Sequence, residues 1–273
     1  MTHSDFASII QSQPIDLASA ALQLARDVAY PGLQITAYLQ RLEELTATAR
    51  SQVPVSDQLG VQAELLAEHL FLRLGFRGNV ESYSDPENSF LNRVLDRRLG
   101  IPISLSVLYV LVARRLEIPA FGVALPGHFV VGVQVGEQRY YFDPFHGGGR
   151  LSTADCARLV AETTGYQGPL RSEWLAPTEP KYILVRMLNN LRVTYIQRQN
   201  WPEALTVLGH LRVLDPEEAE FIRDIGLVHF RRGATVTALH WLERYLAREP
   251  EAPDAAAIRR GLKPAIDQWV RMN

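Results

Sequence analysis

Residues 191–216, LRVTYIQRQNWPEALTVLGHLRVLDP, and residues 225–250, IGLVHFRRGATVTALHWLERYLAREP, overlay when the chain is shifted against itself by 34 positions. Leu191 falls on Ile225, Ile196 on Phe230, Ala204 on Ala238, Leu205 on Leu239, Leu208 on Leu242 and Pro216 on Pro250. Within each copy the apolar residues recur at helical intervals, which predicts two helices per copy. A unit of this size cannot bury its apolar face alone and does so by stacking on a neighbour. Small Ala204 and Ala238 let the second helix of each copy approach the first. Pro216 and Pro250 close the copies, because proline cannot continue a helix.

The period and this pattern of small, apolar and proline positions resemble the tetratricopeptide repeat. Two copies are fewer than a free-standing array needs, so flanking helices are expected to complete the packing. Met187 to Asn190 belong to the first helix, and Ile258 to Val270 predict a capping helix. The resemblance implies either a peptide-binding concave face, near Asn190, Arg192 and Tyr195, or a brace for the domain before it.

Working back from the repeats, RSEWLAPTE (residues 171–179) reads as a linker, and helix resumes at Pro180. Residues 76–170 have mixed character. A polar, turn-rich stretch, RGNVESYSDPENS, precedes a helix over Phe90 to Leu99 that stops at Gly100. Pro102 suits the first turn of the next helix, where its missing N–H costs nothing. That helix, ISLSVLYVLVARRLE, is apolar on nearly every side until Arg114, the mark of a buried helix. After Pro119 come three strands, FGVAL, FVVGVQV and RYYFDPF, the last two joined at Gly136-Glu137-Gln138 as a hairpin. Then STADCARLV reads as a helix capped by Ser152 or Thr153. Residues 1–75 read as three helices. Asp16 caps the first, Pro31-Gly32 separates it from the second, and the third covers Gln58 to Leu74.

The totals bound the function. The chain has 273 residues, 47% hydrophobic and 21% charged, with 28 basic and 30 acidic residues and a formal net charge of -2. That composition supports a sizeable core and lacks the basic excess of a nucleic-acid surface. Arg93, Arg97 and Arg98, with Asp96 beside them, read as a solvated helix face. The single cysteine, Cys156, excludes an intrachain disulfide and any all-cysteine metal site, and fits a reducing compartment. No basic, apolar leader opens the sequence, and no apolar run reaches the length of a membrane span. The expected location is the cytoplasm.

Chemistry concentrates in the middle region. His128 opens one strand and Asp143 closes its neighbour, so the two can meet across the hairpin. A carboxylate bonded to an imidazole fixes its tautomer and supports its charged form, and such a pair ordinarily serves a nucleophile. The alternative is a core histidine bonded for structural reasons, stapling the sheet. Ser104 and Ser106, in the first turns of the buried helix, are the hydroxyl candidates, although serines there usually satisfy backbone groups. Cys156 is the thiol candidate. His128, Asp143 and His146 form a weak metal reading, with three ligands drawn from one hairpin. The glycines of HGGGR read as a turn rather than a phosphate loop, since no Gly-Lys-Ser/Thr ending follows. Asn88 or Ser89 reads as a helix cap in a loop beside the cleft.

The order of helix, histidine strand and aspartate strand resembles the transglutaminase-like fold of the papain-type cysteine enzymes. Glu117-Ile118-Pro119 stands at that fold's Gly-Ile-Pro turn, His128 at its histidine and Asp143 at its aspartate. Counting back from the turn, the cysteine position falls at Pro102, which carries no nucleophile. More closely, FRGNVESYSDPENSFLNRVLDRRLGIPISLSVLYVLVARRLEIP, LPGHFVVGV, FDPFHGGGRLS and the opening ALQLARDVAYPGL resemble the SirB-type bacterial proteins, across nearly the whole chain. Those proteins join a transglutaminase-like domain to C-terminal tetratricopeptide repeats. A related module occurs in an F-box component of ubiquitin ligases.

The expected fold is therefore α+β: a transglutaminase-like core at 76–170, N-terminal helices at 1–75 packed on it, and a helical repeat array at 180–273. The resemblance and the proline at 102 imply a non-catalytic scaffold or regulatory protein. It would bind a protein or peptide partner through the cleft at Pro102, Asn88, His128 and Asp143, or through the repeats. No cofactor, metal, nucleic acid or membrane is expected. The competing expectation is a hydrolase or acyltransferase using Ser106, Ser104 or Cys156 with His128 and Asp143.

Overall fold

A computed structural model describes residues 3–54 and 58–262 of the chain. They divide into two compact units, residues 1–190 and 191–273. The boundary falls inside a helix, ten residues beyond the start of helix at Pro180.

The first unit opens with α1 (His3–Gln11), α2 (Leu17–Val28), α3 (Ile35–Gln52) and α4 (Leu59–Ala67). Asp16 caps α2 as expected, its carboxylate accepting from the N–H groups of Ala18 and Ser19 at 3.1 Å each. α4 runs on as a π-helical turn over Glu68–Arg73, so the predicted helix over Gln58 to Leu74 exists but widens in its last turns. A short 3-10 turn, Pro86–Ser89, leads to α5 (Leu91–Arg97). Gly100, predicted to stop that helix, instead lies in a strand. β1 (Arg77–Gly78) and β2 (Leu99–Gly100) form a two-residue parallel ladder.

α6 (Pro102–Arg115) is the pillar of this unit. Pro102 occupies its first turn, and every residue from Pro102 to Ala113 is buried, as the unbroken apolar run predicts. Each buried Val or Leu adds roughly 1.5–3 kcal/mol of apolar burial. The one large polar group in that run is satisfied, since Tyr109 Oη donates to the Ala63 carbonyl at 2.8 Å. α6 ends in a Schellman motif. Ile118 N–H donates to the Ala113 carbonyl and Glu117 N–H to that of Arg114, with Glu117 left-handed at φ 62.

The four-stranded antiparallel sheet follows in sequence order: β3 (Ala120–Val123), β4 (Val130–Val135), β5 (Gln138–Asp143) and β6 (Gly149–Leu151). Gly136 at φ 58 supplies the hairpin turn between β4 and β5. β6 is an addition to the three predicted strands. HGGGR is a turn as expected, with Gly147 and Gly148 at positive φ, but it returns the chain against β5. α7 (Thr153–Thr164) starts at Ser152, whose hydroxyl accepts from Asp155 N–H while the Asp155 carboxylate accepts from Ser152 N–H, a capping box. Phe121, Val123, Leu125, Val130, Tyr141, Cys156 and Val160 form the core between sheet and helix.

Residues 171–179 are not a free linker. They hold a 3-10 turn (Ser172–Leu175). Thr178 N–H donates to the Gly122 carbonyl at 2.8 Å, and Thr178 Oγ1 accepts from Ala124 N–H at 3.2 Å. The segment therefore borders β3.

The second unit carries the repeats. α8 (Pro180–Gln197) begins in the first unit and ends in the second, where α9 (Trp201–Leu214) follows and packs on α10 (Ala219–Arg231); α10 and α11 (Thr235–Arg248) make a hairpin. Ala204 and Ala238 are fully buried, as the helix-contact reading requires. Gly226 does the same from the first helix of its pair: a Cβ there would sit 2.6 Å from Leu242 Cγ. Ile222, Leu239, Leu242, Tyr245, Ile258 and Leu262 form the core of this hairpin. The expected cap over Ile258 to Val270 begins as helix at 255–262; the rest lies outside the described residues. No helix among the described residues is long and apolar enough to cross a membrane.

Candidate functional site

Gly127 turns the chain into β4 at φ 73, packed so closely on Thr163 that a Cβ would lie 2.6 Å from Thr163 Cβ. This turn sets His128 at the mouth of the strand, with its N–H donating to the Leu125 carbonyl. Asp143 ends β5 at the same end of the sheet. The predicted meeting occurs: His128 Nε2 lies 3.0 Å from Asp143 Oδ2, and both side chains are almost fully buried.

A second ring joins them. His146 Nδ1 lies 2.7 Å from the same Oδ2, and the two imidazoles stack with centroids 5.7 Å apart. The other oxygen, Oδ1, accepts from Phe145 N–H at 3.0 Å and His146 N–H at 3.4 Å. A carboxylate only accepts, so each ring presents a protonated nitrogen to Oδ2. Burial opposes the Asp143 charge, but the hydrogen bonds and charge of His128, then of His146, outweigh it and hold the carboxyl below its ordinary value.

An aromatic wall completes the site. Phe145 meets both imidazoles edge to face and Tyr83 at 5.8 Å. Gly78 makes room for Phe145, since a Cβ there would come within 2.6 Å of its ring. Beside Asp143 and His146 opens a cavity of about 290 Å³ lined also by Arg150, Arg158 and Glu162. The sequence carries no signal for Phe145, and for Tyr83 only its place as the one aromatic residue in the polar stretch RGNVESYSDPENS.

The nucleophile candidates are placed elsewhere. Ser104 Oγ accepts from Ile101 N–H at 3.0 Å and donates to the Asn88 carbonyl at 2.6 Å. Ser106 Oγ donates to the Phe129 carbonyl at 3.3 Å. Cys156 is fully buried in the sheet–helix core, and burial, then Asp155 and Asp143, push its thiol up to about 11. Pro102, at the start of α6, is buried and offers no reactive atom.

The binding candidates divide. Asn88 is fully buried and its side chain is occupied: Nδ2 donates to the Ser82 and Tyr83 carbonyls at 2.7 and 3.2 Å, and Oδ1 accepts from Asn79 at 3.0 Å. It shapes the loop that carries Tyr83 rather than facing the cleft. Arg192 is buried, paired with Asp224 at 3.1 Å and Glu220 at 3.2 Å, and lies over the Phe221 ring. Tyr195 is buried as well. Asn190 is half-buried. Two of the three residues expected on the repeat face therefore point into the unit.

Comparison with known proteins agrees with this architecture. Residues 36–189 match the transglutaminase-like superfamily and residues 191–263 the tetratricopeptide repeat. A UPF0162 protein of Xylella fastidiosa is 35% identical over 253 residues, covering 92% of this chain and 90% of that protein. Protein SirB1 of Salmonella typhimurium is 26% identical, covering 81% of each chain. F-box only protein 21 of Mus musculus is 33% identical over 132 residues, 45% of this chain and 20% of that one.

Proposed function

The chain belongs to the transglutaminase-like superfamily, and on that premise we propose that it is a non-catalytic member that binds a protein or peptide partner. The carrying observation is that the buried helix opens on Pro102, where the resemblance puts the family's cysteine, and that the hydroxyls and thiol considered in its place are engaged elsewhere. Ser104 and Ser106 are committed to backbone groups, and Cys156 sits in the core. Covalent acyl transfer needs a nucleophile within hydrogen-bond reach of its base, and His128 has none among the described residues.

What remains fits recognition. Asp143 and His146 line a cavity, and exposed Tyr83 packs on half-buried Phe145, whose ring lies against His128. Tetratricopeptide repeats generally mediate protein–protein interaction. The single, buried cysteine suits work in the reducing cytoplasm.

The test uses the full chain with fluorophosphonate and iodoacetamide probes, read by intact mass, and immobilised protein with and without Tyr83→Ala. We expect no adduct, and a specific partner whose recovery falls in Y83A. An adduct on Ser104, Ser106 or Cys156 that disappears in His128→Ala establishes instead the hydrolase or acyltransferase reading, which the retained His128–Asp143 pair favours.

A further inference from the structure

We propose that His128, Asp143 and His146 form a binding site for one divalent transition-metal ion of the zinc class. It goes beyond partner binding and does not depend on it. The ligand atoms of the three residues all lie within 4.8 Å of one another. Two imidazole nitrogens and one carboxylate oxygen form the borderline N2O donor set that suits zinc, iron, cobalt or nickel; magnesium and calcium take all-oxygen shells.

A structural hydrogen bond accounts for half of this arrangement. The buried His128 needs a partner, and Asp143 provides one. His146 has no such need. Its side chain is 58% exposed and could be solvated by water, yet its Nδ1 points at the oxygen that His128 already engages. Both rings are held for the task, stacked on one another with the edge of Phe145 against each. The outer shell is also in place, since the spare carboxylate oxygen accepts backbone N–H groups from residues 145 and 146, as orienting groups around metal ligands do.

Geometry allows the exchange. A tetrahedral zinc with bonds near 2.0–2.1 Å separates its ligands by roughly 3.3 Å. The Asp143 contacts to His128 and His146, at 3.0 and 2.7 Å, must open by roughly half an ångström and the two imidazole nitrogens, within 4.8 Å, must close toward roughly 3.3 Å; the exposed His146 can make most of that movement. The ion replaces the two protons that now bridge the rings to Oδ2: a neutral ring carries its proton on the other nitrogen instead, and a charged ring releases one to water. Three protein ligands leave a fourth position for water beside the cavity. The arginines lining that cavity do not oppose a cation strongly, because Arg150 is paired with Glu64 and Arg158 with Asp155.

The experiment takes the untagged full chain, stripped with chelator, and titrates it with Zn²⁺ by calorimetry and with Co²⁺ by visible absorption. The expected result is one equivalent bound, with d–d bands of four- or five-coordinate cobalt. In His146→Ala, affinity should fall at least roughly ten-fold, while the metal-free chain stays folded with a melting temperature lowered only by the loss of one hydrogen bond to Asp143. Exposed His240→Ala, distant in sequence, should bind as the parent does. Substoichiometric binding, equal affinity in H146A, or an equal loss in H240A overturns the proposal.

Discussion

The hydroxyl of Ser106 donates to the backbone carbonyl of Phe129, the residue that follows His128, and not to the His128 ring. The spacing that places a serine one helical turn beyond Pro102 brings it next to the histidine in the chain without making a nucleophile–base pair. Ser106→Ala should therefore lower stability by about 1 kcal/mol, the worth of one buried hydrogen bond, and leave the reactivity of the folded protein toward serine probes unchanged. Urea unfolding and probe labelling of the same sample check both halves. A His128-dependent adduct that vanishes in S106A would contradict the assignment.

Cys156 should be inert in the native protein. It is fully buried and its thiol is pushed up to about 11, so almost no thiolate forms near neutral pH. Iodoacetamide at pH 8 should leave the folded chain unmodified over hours and alkylate it fully in denaturant. Labelling of the folded protein at the rate of a free thiol would show that the core around α7 opens readily.

Asp155 gives a pH dependence of definite sign. The Ser152 hydroxyl, its N–H and Arg158 hold the carboxyl at about 2, against an ordinary value of 3.8. A depressed folded value contributes stability above the unfolded value, lost as the pH falls through the folded one. The melting-temperature advantage of the parent over Asp155→Asn should be constant above about pH 4 and shrink between 4 and 2. An advantage that persists at pH 2 would remove the capping box as its source.

Glu117 occupies the left-handed position that ends α6, at φ 62. A side chain there costs roughly 1 kcal/mol relative to glycine, the residue that usually fills the position. Glu117→Gly should raise stability by about that amount, measured by chemical denaturation, offset in part by the entropy glycine adds to the unfolded chain. A destabilisation above about 1 kcal/mol would mean that the Glu117 side chain makes a contact of its own.

Arg192→Ala should destabilise the second unit by roughly 2–3 kcal/mol. Removing one member of a buried pair leaves the other charge uncompensated, and burial already pushes the Asp224 carboxyl above its ordinary value. Arg223 still reaches Asp224 at 2.9 Å, which limits the loss. The double variant Arg192→Ala, Asp224→Ala should lose less than the two single variants combined.

Much of this was legible in the residues. The 34-position overlay announces two helices per copy because the period of a helix and the length of a repeat leave independent marks on the same apolar positions. The continuous apolar run of α6 and the valine-rich and aromatic runs of β4 and β5 are equally direct, and His128 and Asp143 meet where the hairpin puts them. Features made by tertiary contact left no mark. Two-residue β1 and β2 are too short to show a period, and β6 hides in a glycine turn. Thr178 borders β3 from inside a segment that reads as a linker. Asn88 and Arg192 read as binding candidates because polarity suggests exposure, whereas both are buried, Asn88 hydrogen-bonded within its loop and Arg192 paired with Asp224 and Glu220. His146 acquires its meaning from Asp143, whose single oxygen draws in both rings.

The buried thiol of Cys156 also makes the chain a convenient carrier for spectroscopic labels. A protein with one unreactive cysteine accepts a new surface cysteine without first losing the old one. Val80 in the first unit and Val236 in the second are both well exposed, so a V80C/V236C pair could carry a donor and an acceptor dye. The separation of the two units could then be followed in solution as a partner or a metal is added.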